Sequence, residues 1–565
     1  MTPRYSPHFT VPDSHRQAVA VAVDAPDIVT DTGLLSLRAL DQRLGYLADL
    51  ADRLPDPRAP KFITHSAHEI LAQQVDQMLA DYPDCNAADS LRTDPLFQVL
   101  AGADPHPDRP LACGSTLARF QYAFTRRQRE LPEEDRPAFA EMYRARTDRL
   151  RRLNAFLVET FLRTRPQPPR YVILDIDPTD DPAHGHPALS GYHGYYQQHQ
   201  YFPLLVFDGQ SRFPLAAGLR PGPAAGACGA VAVLEAIVTA LRRAWPEVLI
   251  LVRGDCRLAG PDLYEFCESH GLLYAFGYAS NAVLQRRTER AWWELELYYH
   301  FYGRREPQVQ RFEVLEDDQA DRWSRPRRVV CKVECTPLGS QRRFVVTNRS
   351  GQPRGIYRGF YVERGEVPEQ PLAELKNGLD LGRLSAHSFR ANGYRRLLHV
   401  GAYGLVVLLR EAAAAIPEVA RATVSTLRSR LWKVGAWVER KAGRLWFHVA
   451  AAWPWRELWE RVQAAVERFT AALAGEETAG VGTPPGVARE RQASPYAAEV
   501  AAEKTVRAEA SAATAGREST SGVGTPAGRQ PPASARFKKI KVANVARCAR
   551  WAREPPPVRL SKTLT

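Results

Sequence analysis

Three acidic side chains, far apart along the 565 residues, occupy positions from which they could hold metal ions. Phosphodiester chemistry with two divalent cations calls for hard oxygen ligands around ions roughly 3.5–4 Å apart. Asp177 ends the apolar run Tyr171-Val-Ile-Leu-Asp-Ile-Asp177, and Asp255 follows the run Val248-Leu-Ile-Leu-Val-Arg253 across Gly254. Glu369 stands at the start of a later predicted helix. Each acid alone has an ordinary reading: a solvated strand end, a loop acid capping the next helix, an exposed helix start. Their order, strand then strand then helix, is what makes them candidates together.

Local rules sharpen each position. Side chains alternate along a strand, so Asp175 and Asp177 share a face with Ile173, while Val172, Leu174 and Ile176 take the other. Two carboxylates on one face repel unless a cation stands near, which makes Asp175 a candidate for a supporting role behind the ligands. Gly254 allows a tight turn at the strand end. Pro368 suits a first helical position, and Pro371 still falls among the N–H groups without an intrahelical partner, so Glu369 lies in the first turn. Glu369 and Lys376 are two turns apart on one face. Arg364 precedes them, placed to meet a phosphate.

The elements that must position these groups follow from periodicity. Residues 1–25 read as irregular, and 26–166 as an all-helical N-terminal region, with Leu34, Leu35, Leu37, Leu40 and Leu44 at helical spacing. Strands are predicted over Tyr171–Asp177, Tyr201–Phe207, Phe213–Leu219, Val248–Arg253 and Leu272–Phe276. Helices are predicted over Gly229–Trp245 and Pro261–His270. This β-β-β-α-β-α-β order departs from the strict alternation of a doubly wound fold. It points to an α/β protein with a ribonuclease-H-like mixed sheet, its core split between 167–280 and 351–395. Residues 281–350 read as a β-rich insertion, with strands over Leu295–Tyr302, Gln310–Leu315, Arg328–Glu334 and Arg343–Thr347. C-terminal helices are predicted through 396–474. From 475 to 565 the composition collapses to Ala, Gly, Thr, Pro, Arg and Glu, with Gly-Val-Gly-Thr-Pro repeated at Gly480 and Gly522, the pattern of a disordered basic tail.

Composition narrows the partners. A net charge of +13 favours a polyanion such as nucleic acid, although the skew of 10 Lys to 66 Arg reflects GC-rich coding more than Arg chemistry. No membrane span or secretory signal is legible, and eight cysteines give no disulfide framework, so the protein reads as reduced and cytoplasmic. Cys331 and Cys335, as C-x3-C without a matching pair, read as free thiols rather than a zinc site. His184, His186, His193 and His199 match no common metal spacing and read as packing or substrate-loop residues. Trp432, Trp437, Trp446, Phe447, Trp453, Trp455 and Trp459 are interleaved with Arg428, Arg430, Lys433, Arg440 and Lys441. That pattern suits a nucleic-acid surface, with helical packing the plainer alternative.

Taken together, several blocks resemble the DDE transposases of bacterial insertion sequences. They are Leu174-Asp-Ile-Asp-Pro-Thr-Asp-Asp-Pro-Ala-His-Gly185, Gly194-Tyr-Tyr with Tyr201 to Asp208, Trp245-Pro through Arg253-Gly-Asp255, and Arg343-Phe-Val-Val-Thr347. Tyr361, Arg364, Glu369 and Lys376 complete a Tyr-Arg-Glu-Lys signature, with four residues between Arg364 and Glu369 where the signature has three. The likeness spans roughly 25–470 and is to insertion-sequence family thirteen-eighty, related to family four.

The resemblance implies that Asp177, rather than Asp175, joins Asp255 and Glu369 in a metal-binding triad for two Mg²⁺ ions, with Mn²⁺ able to substitute. It implies cleavage at insertion-sequence ends and strand transfer of the freed 3′-hydroxyl into target DNA, in some relatives through a hairpin. Partners would be inverted-repeat end DNA and target DNA, with a homodimer in the synaptic complex, at the nucleoid of a bacterial cytoplasm. Tyr361, Arg364 and Lys376 would grip phosphates, and Trp323, Trp292 or Trp293 would hold a flipped base. The competing readings are a domesticated or inactive DNA-binding relative and a metal-dependent nuclease without strand transfer.

Overall fold

The computed structural model describes residues 27–54, 56, 58–123, 154–183, 185, 187, 189–194, 196–222, 224, 226–303, 308–363, 369–384 and 386–475, with the backbone of two short strands, His8–Val11 and Val19–Ala22. Those two strands pair antiparallel within a segment expected to be irregular. Arg364, His184, His186 and the tail from residue 476 lie outside the described residues.

Helices α1 (Leu35–Leu44) and α2 (Ala67–Leu79) open the chain. Ser66 caps α2 by accepting from the Glu69 amide, the side-chain cap that satisfies an orphan N–H. The predicted central strands then appear, except that the one expected over Tyr201–Phe207 starts at Leu204, with Tyr201 ending a separate short strand, Gln198–Tyr201. They are β1 (Tyr171–Pro178), β2 (Leu204–Asp208), β3 (Pro214–Gly218), β4 (Leu249–Gly254) and β5 (Leu273–Tyr278), with α3 (Ala230–Ala244) and α4 (Pro261–Ser269) between the later ones. β1 pairs in parallel with β4 and antiparallel with β2, β4 pairs in parallel with β5, and β2 pairs antiparallel with β3. The sheet therefore runs 3-2-1-4-5 through these strands.

Helix α5 (Glu289–Tyr298) and its π-type continuation Tyr299–Gly303 occupy the segment expected to be a strand from Leu295 to Tyr302. Leu284, Thr288, Ala291 and Leu295 are buried at helical spacing, and this longer period overrides the local alternation of Leu-Glu-Leu-Tyr. Three long strands follow: β6 (Val309–Asp318), β7 (Arg327–Thr336) and β8 (Gly339–Thr347). They build no separate sheet. β8 adds antiparallel to β5, giving one eight-stranded mixed sheet in the order 6-7-8-5-4-1-2-3. Cys331 and Cys335 are buried in β7 as free thiols.

The two faces of β1 and β4 belong to different cores, as the alternation requires. Val172, Leu174, Ile176, Ile250 and Val252 join the main core with Leu234, Ile237 and Leu241 of α3. Ile173 and Leu251 face a smaller cluster closed by Ile356, Tyr357 and Phe360 of a wide-turned helix, Gly355–Val362. Past this helix, α6 (Glu369–Ala373) leads into π-type turns over Glu374–Gly378.

Helix α7 (Phe389–Ala412) is buried along nearly its whole length. A helix buried all round needs partners for its polar groups. Arg395 donates to the Pro83 carbonyl at 2.7 Å, Arg396 pairs with buried Asp181, and Arg410 meets Glu374 at 2.5 Å. The stretch expected to continue as helix instead forms a hairpin, β9 (Ala436–Lys441) and β10 (Arg444–Val449), before α8 (Arg456–Ala474). Ala442 and Gly443 turn it with φ of 52° and 71°, the left-handed pair of a tight hairpin turn. No helix among the described residues is long and apolar enough to cross a membrane.

Candidate active site

The register between β1 and β4 sets the site. Asp175 pairs with Arg253 and Ile176 with Gly254, so the next step brings Asp177 and Asp255 abreast at the carboxyl ends of neighbouring parallel strands. Such strands lie about 4.8 Å apart. Counting alternately from Ile173 and Leu251, both acids fall on the face closed by the wide-turned helix. Both are nearly buried. This placement brings two of the three candidate acids together.

Directly beneath them, Asp175 is fully enclosed and grips Arg253 through two hydrogen bonds, Nε to Oδ1 at 2.6 Å and Nη2 to Oδ2 at 2.7 Å. The remaining guanidinium nitrogen, Nη1, donates to the Phe360 carbonyl at 2.8 Å. The cation that two carboxylates on one strand face require is therefore a protein side chain, for Asp175 at least. Arg253 was legible in principle, since a lone Arg at the end of a buried apolar strand must have a partner. Gly209 covers this pair: a Cβ there would come within 2.8 Å of both Arg253 Nη2 and Asp175 Oδ2.

Asp255 accepts from the Arg257 amide at 3.0 Å and from Arg257 Nε at 2.5 Å. Arg257 in turn donates to the Tyr196 hydroxyl at 2.6 Å. Arg257 did not stand out in the sequence, and Tyr196 did so only as the end of the Gly194-Tyr-Tyr block. Tyr361, from the signature, closes on the same place from the wide-turned helix. A Cβ built on Gly277 would lie 2.5 Å from the Tyr361 hydroxyl and 2.8 Å from the Cys256 amide nitrogen. Because one of those neighbours is backbone, Gly277→Ala is expected to cost about 1–3 kcal/mol through overpacking. Urea unfolding measures this, and a cost near zero would mean that the loop after Asp255 yields freely.

Lys376 Nζ donates to Asp180 Oδ1 at 2.7 Å, which ties the turns after α6 to the exit of β1. Burial pushes the Asp180 carboxyl up, but the hydrogen bond and charge of Lys376 outweigh it and hold the group below the ordinary carboxylate range. Next to it, burial keeps Asp181 raised despite Arg396. Glu369 is the first residue of α6, and only its backbone is described. Among the described residues, no three His, Cys, Asp or Glu groups gather as a metal cluster.

Trp323 does not offer a surface for a base. It is 8% exposed, packed edge-on to Tyr264 at 5.8 Å and against Tyr278 at 5.3 Å, with Arg327 over its ring. Trp292 donates to Ser340 under Arg342, whereas Trp293 is 52% exposed. His193 packs between Tyr196 and Phe202, and His199 against Tyr192.

Among curated proteins, nothing matches this chain. Among solved structures it is similar to a piggyBac transposase synaptic complex with hairpin DNA, at 10% identity over 81% of this chain and 84% of that one, with a TM-score of 0.35, too distant to carry an argument. The family model for the transposase DDE domain group 1 matches residues 11–471, from the last residue of the first N-terminal strand to the last turn of α8. The chain belongs to that family of transposases.

Proposed function

We propose that the chain is a cut-and-paste DNA transposase of insertion-sequence family thirteen-eighty, with a ribonuclease-H-like core and a catalytic triad of Asp177, Asp255 and Glu369. The observation that carries this reading is the parallel β1–β4 pairing, whose register runs to Ile176 and Gly254, the residues just before Asp177 and Asp255. The 3-2-1-4-5 strand order and the family membership support it.

The residues fit a divalent cation. Asp177 and Asp255 supply hard carboxylate oxygens, the donor type that Mg²⁺ and Mn²⁺ prefer. Asp175 is already satisfied by Arg253, which leaves it a supporting rather than a ligating part. Arg257 holds a positive charge against Asp255, the charge type this corner accepts. Glu369 would complete the set from the start of α6. Bound divalent ions would activate the attacking water or hydroxyl and offset charge on the leaving oxygen.

The chain's own groups bind and orient the DNA. Tyr361 lies beside the Asp255 loop, with Arg364 a short step further along the chain, and both would meet phosphates near the cut. Lys376, now on Asp180, would serve as a third phosphate contact. Two copies would bring two inverted-repeat ends together before joining to target DNA, at the nucleoid of a bacterial cytoplasm.

The test is incubation of the full chain with DNA carrying the element's ends and Mg²⁺. Cleavage exposing a 3′-hydroxyl at the end, followed by joined product, is the expected result. Cleavage without joining would replace this reading with a nuclease, and binding without cleavage with an inactive relative.

A further inference from the structure

We propose that the outward face of the β9–β10 hairpin is a stacking platform for unpaired nucleotides of a DNA strand. The inference takes from the proposed function only that this chain handles DNA. The cross-strand register pairs Trp437 with His448, Glu439 with Trp446 and Lys441 with Arg444, and these alternate residues share one face. Ala436 and Val438, which alternate with them on β9, are buried instead.

On the outward face the rings are aligned. Trp437 and His448 stack with centroids 4.9 Å apart and planes 26° from parallel, and Trp446 lies 6.3 Å from His448 at 18°. Both indoles remain about half in water, 44% and 47% exposed, and Ile28 beside Trp437 extends the apolar patch. Protein surfaces seldom leave adjoining large rings open without a ligand for them.

The platform is also held in place. His448 Nε2 lies 3.2 Å from Glu439 Oε2 across the hairpin, and the root of β9 pairs with Ile28–Val29. Charge names the class of occupant. Lys441 and Arg444 flank the hairpin tip on this face, Arg440 falls on the other face 4.0 Å from Asp104, and the single acid on the hairpin, Glu439, faces His448. Two indoles with exposed cations at the hairpin tip suit a flexible polyanion with aromatic bases. In a duplex the base faces are already stacked on one another, so only an unpaired base can lie on these rings. The site stands on the strand joined to the N-terminal segment, apart from the acids at the ends of β1 and β4.

The experiment measures binding by the full chain in EDTA, which removes cleavage from the readout. The probes are labelled oligothymidylate of about twelve nucleotides, within the roughly 4–16 such surfaces cover, a strand of the same length built of abasic units, and a duplex of that length. Wild type should prefer thymidylate to the abasic strand. Replacing both indoles, Trp437→Ala with Trp446→Ala, should weaken thymidylate binding roughly tenfold or more while leaving the abasic strand and duplex within about twofold. Phe at both positions should restore most of it, and circular dichroism confirms the fold of each variant. An unchanged affinity for thymidylate, or an equal loss on the abasic strand, overturns the platform alone and leaves the active-site reading standing. Failure of wild type to bind any of the three DNAs would overturn both.

Discussion

Asp255→Asn should abolish metal-dependent DNA cleavage while the protein stays folded. The amide keeps the size of the side chain and its oxygen can still accept from the Arg257 amide, so the loop after β4 retains its anchor. What disappears is the negative charge that a divalent cation needs. Losing several kcal/mol of transition-state stabilisation at about 1.4 kcal/mol per tenfold lowers the rate on the order of 10³-fold or more. A second readout separates metal binding from chemistry. A ligand present at about 100 times its Kd stabilises the folded state by roughly 2.7 kcal/mol, so Mg²⁺ should raise the thermal midpoint of wild type and not of the variant. Asp177→Asn should behave in the same way, since the β1–β4 register makes the two acids neighbours. Near-normal cleavage by either variant, with the Mg²⁺-induced thermal shift intact, would remove that acid from the site.

The second large effect concerns what lies beneath the acids. Arg253→Met should destabilise the protein by about 3–5 kcal/mol, because it leaves the Asp175 carboxylate buried with its principal countercharge gone. Adding Asp175→Leu should recover most of that loss, since two apolar side chains of similar volume can replace a buried ion pair at little cost. Activity should recover less than stability. In the double variant nothing replaces the bond from Arg253 to the Phe360 carbonyl, and that bond fixes the helix carrying Tyr361 against the Asp255 loop. Urea unfolding and end cleavage, measured on the same two proteins, separate these effects. A single variant as stable as wild type would mean that Asp175 finds another partner or takes up a proton at no cost.

Much of the central sheet was legible because its strands obey one simple rule. Ile173, Asp175 and Asp177 had to share a face, and the two cores on either side of β1 reflect that division. The acids at the strand ends were visible for the same reason. The partners of Arg253, Arg257 and Tyr196 were not, because they are brought together by register and loop path rather than by sequence distance. Leu295–Tyr302 misled because its alternation is real but local, while the burial that decides the matter starts back at Leu284. The hairpin at 436–449 was hidden among helices whose Trp and Arg residues gave it a helical look. The Ala442-Gly443 pair between two alternating runs was the available sign.

The first and last labelled helices meet. Arg43 near the end of α1 donates to Thr470 of α8 at 3.1 Å, across 427 residues of chain, and reaches Glu467 beside it. A ribosome adds roughly 5–20 residues per second, so the N-terminal helices wait on the order of a minute for the surface that covers them. Until α7 and α8 emerge, the apolar side of α1 is only partly covered. A nascent copy thus passes most of its synthesis unfinished, and loss of the last nineteen-residue helix would strip the beginning of the chain as much as its end.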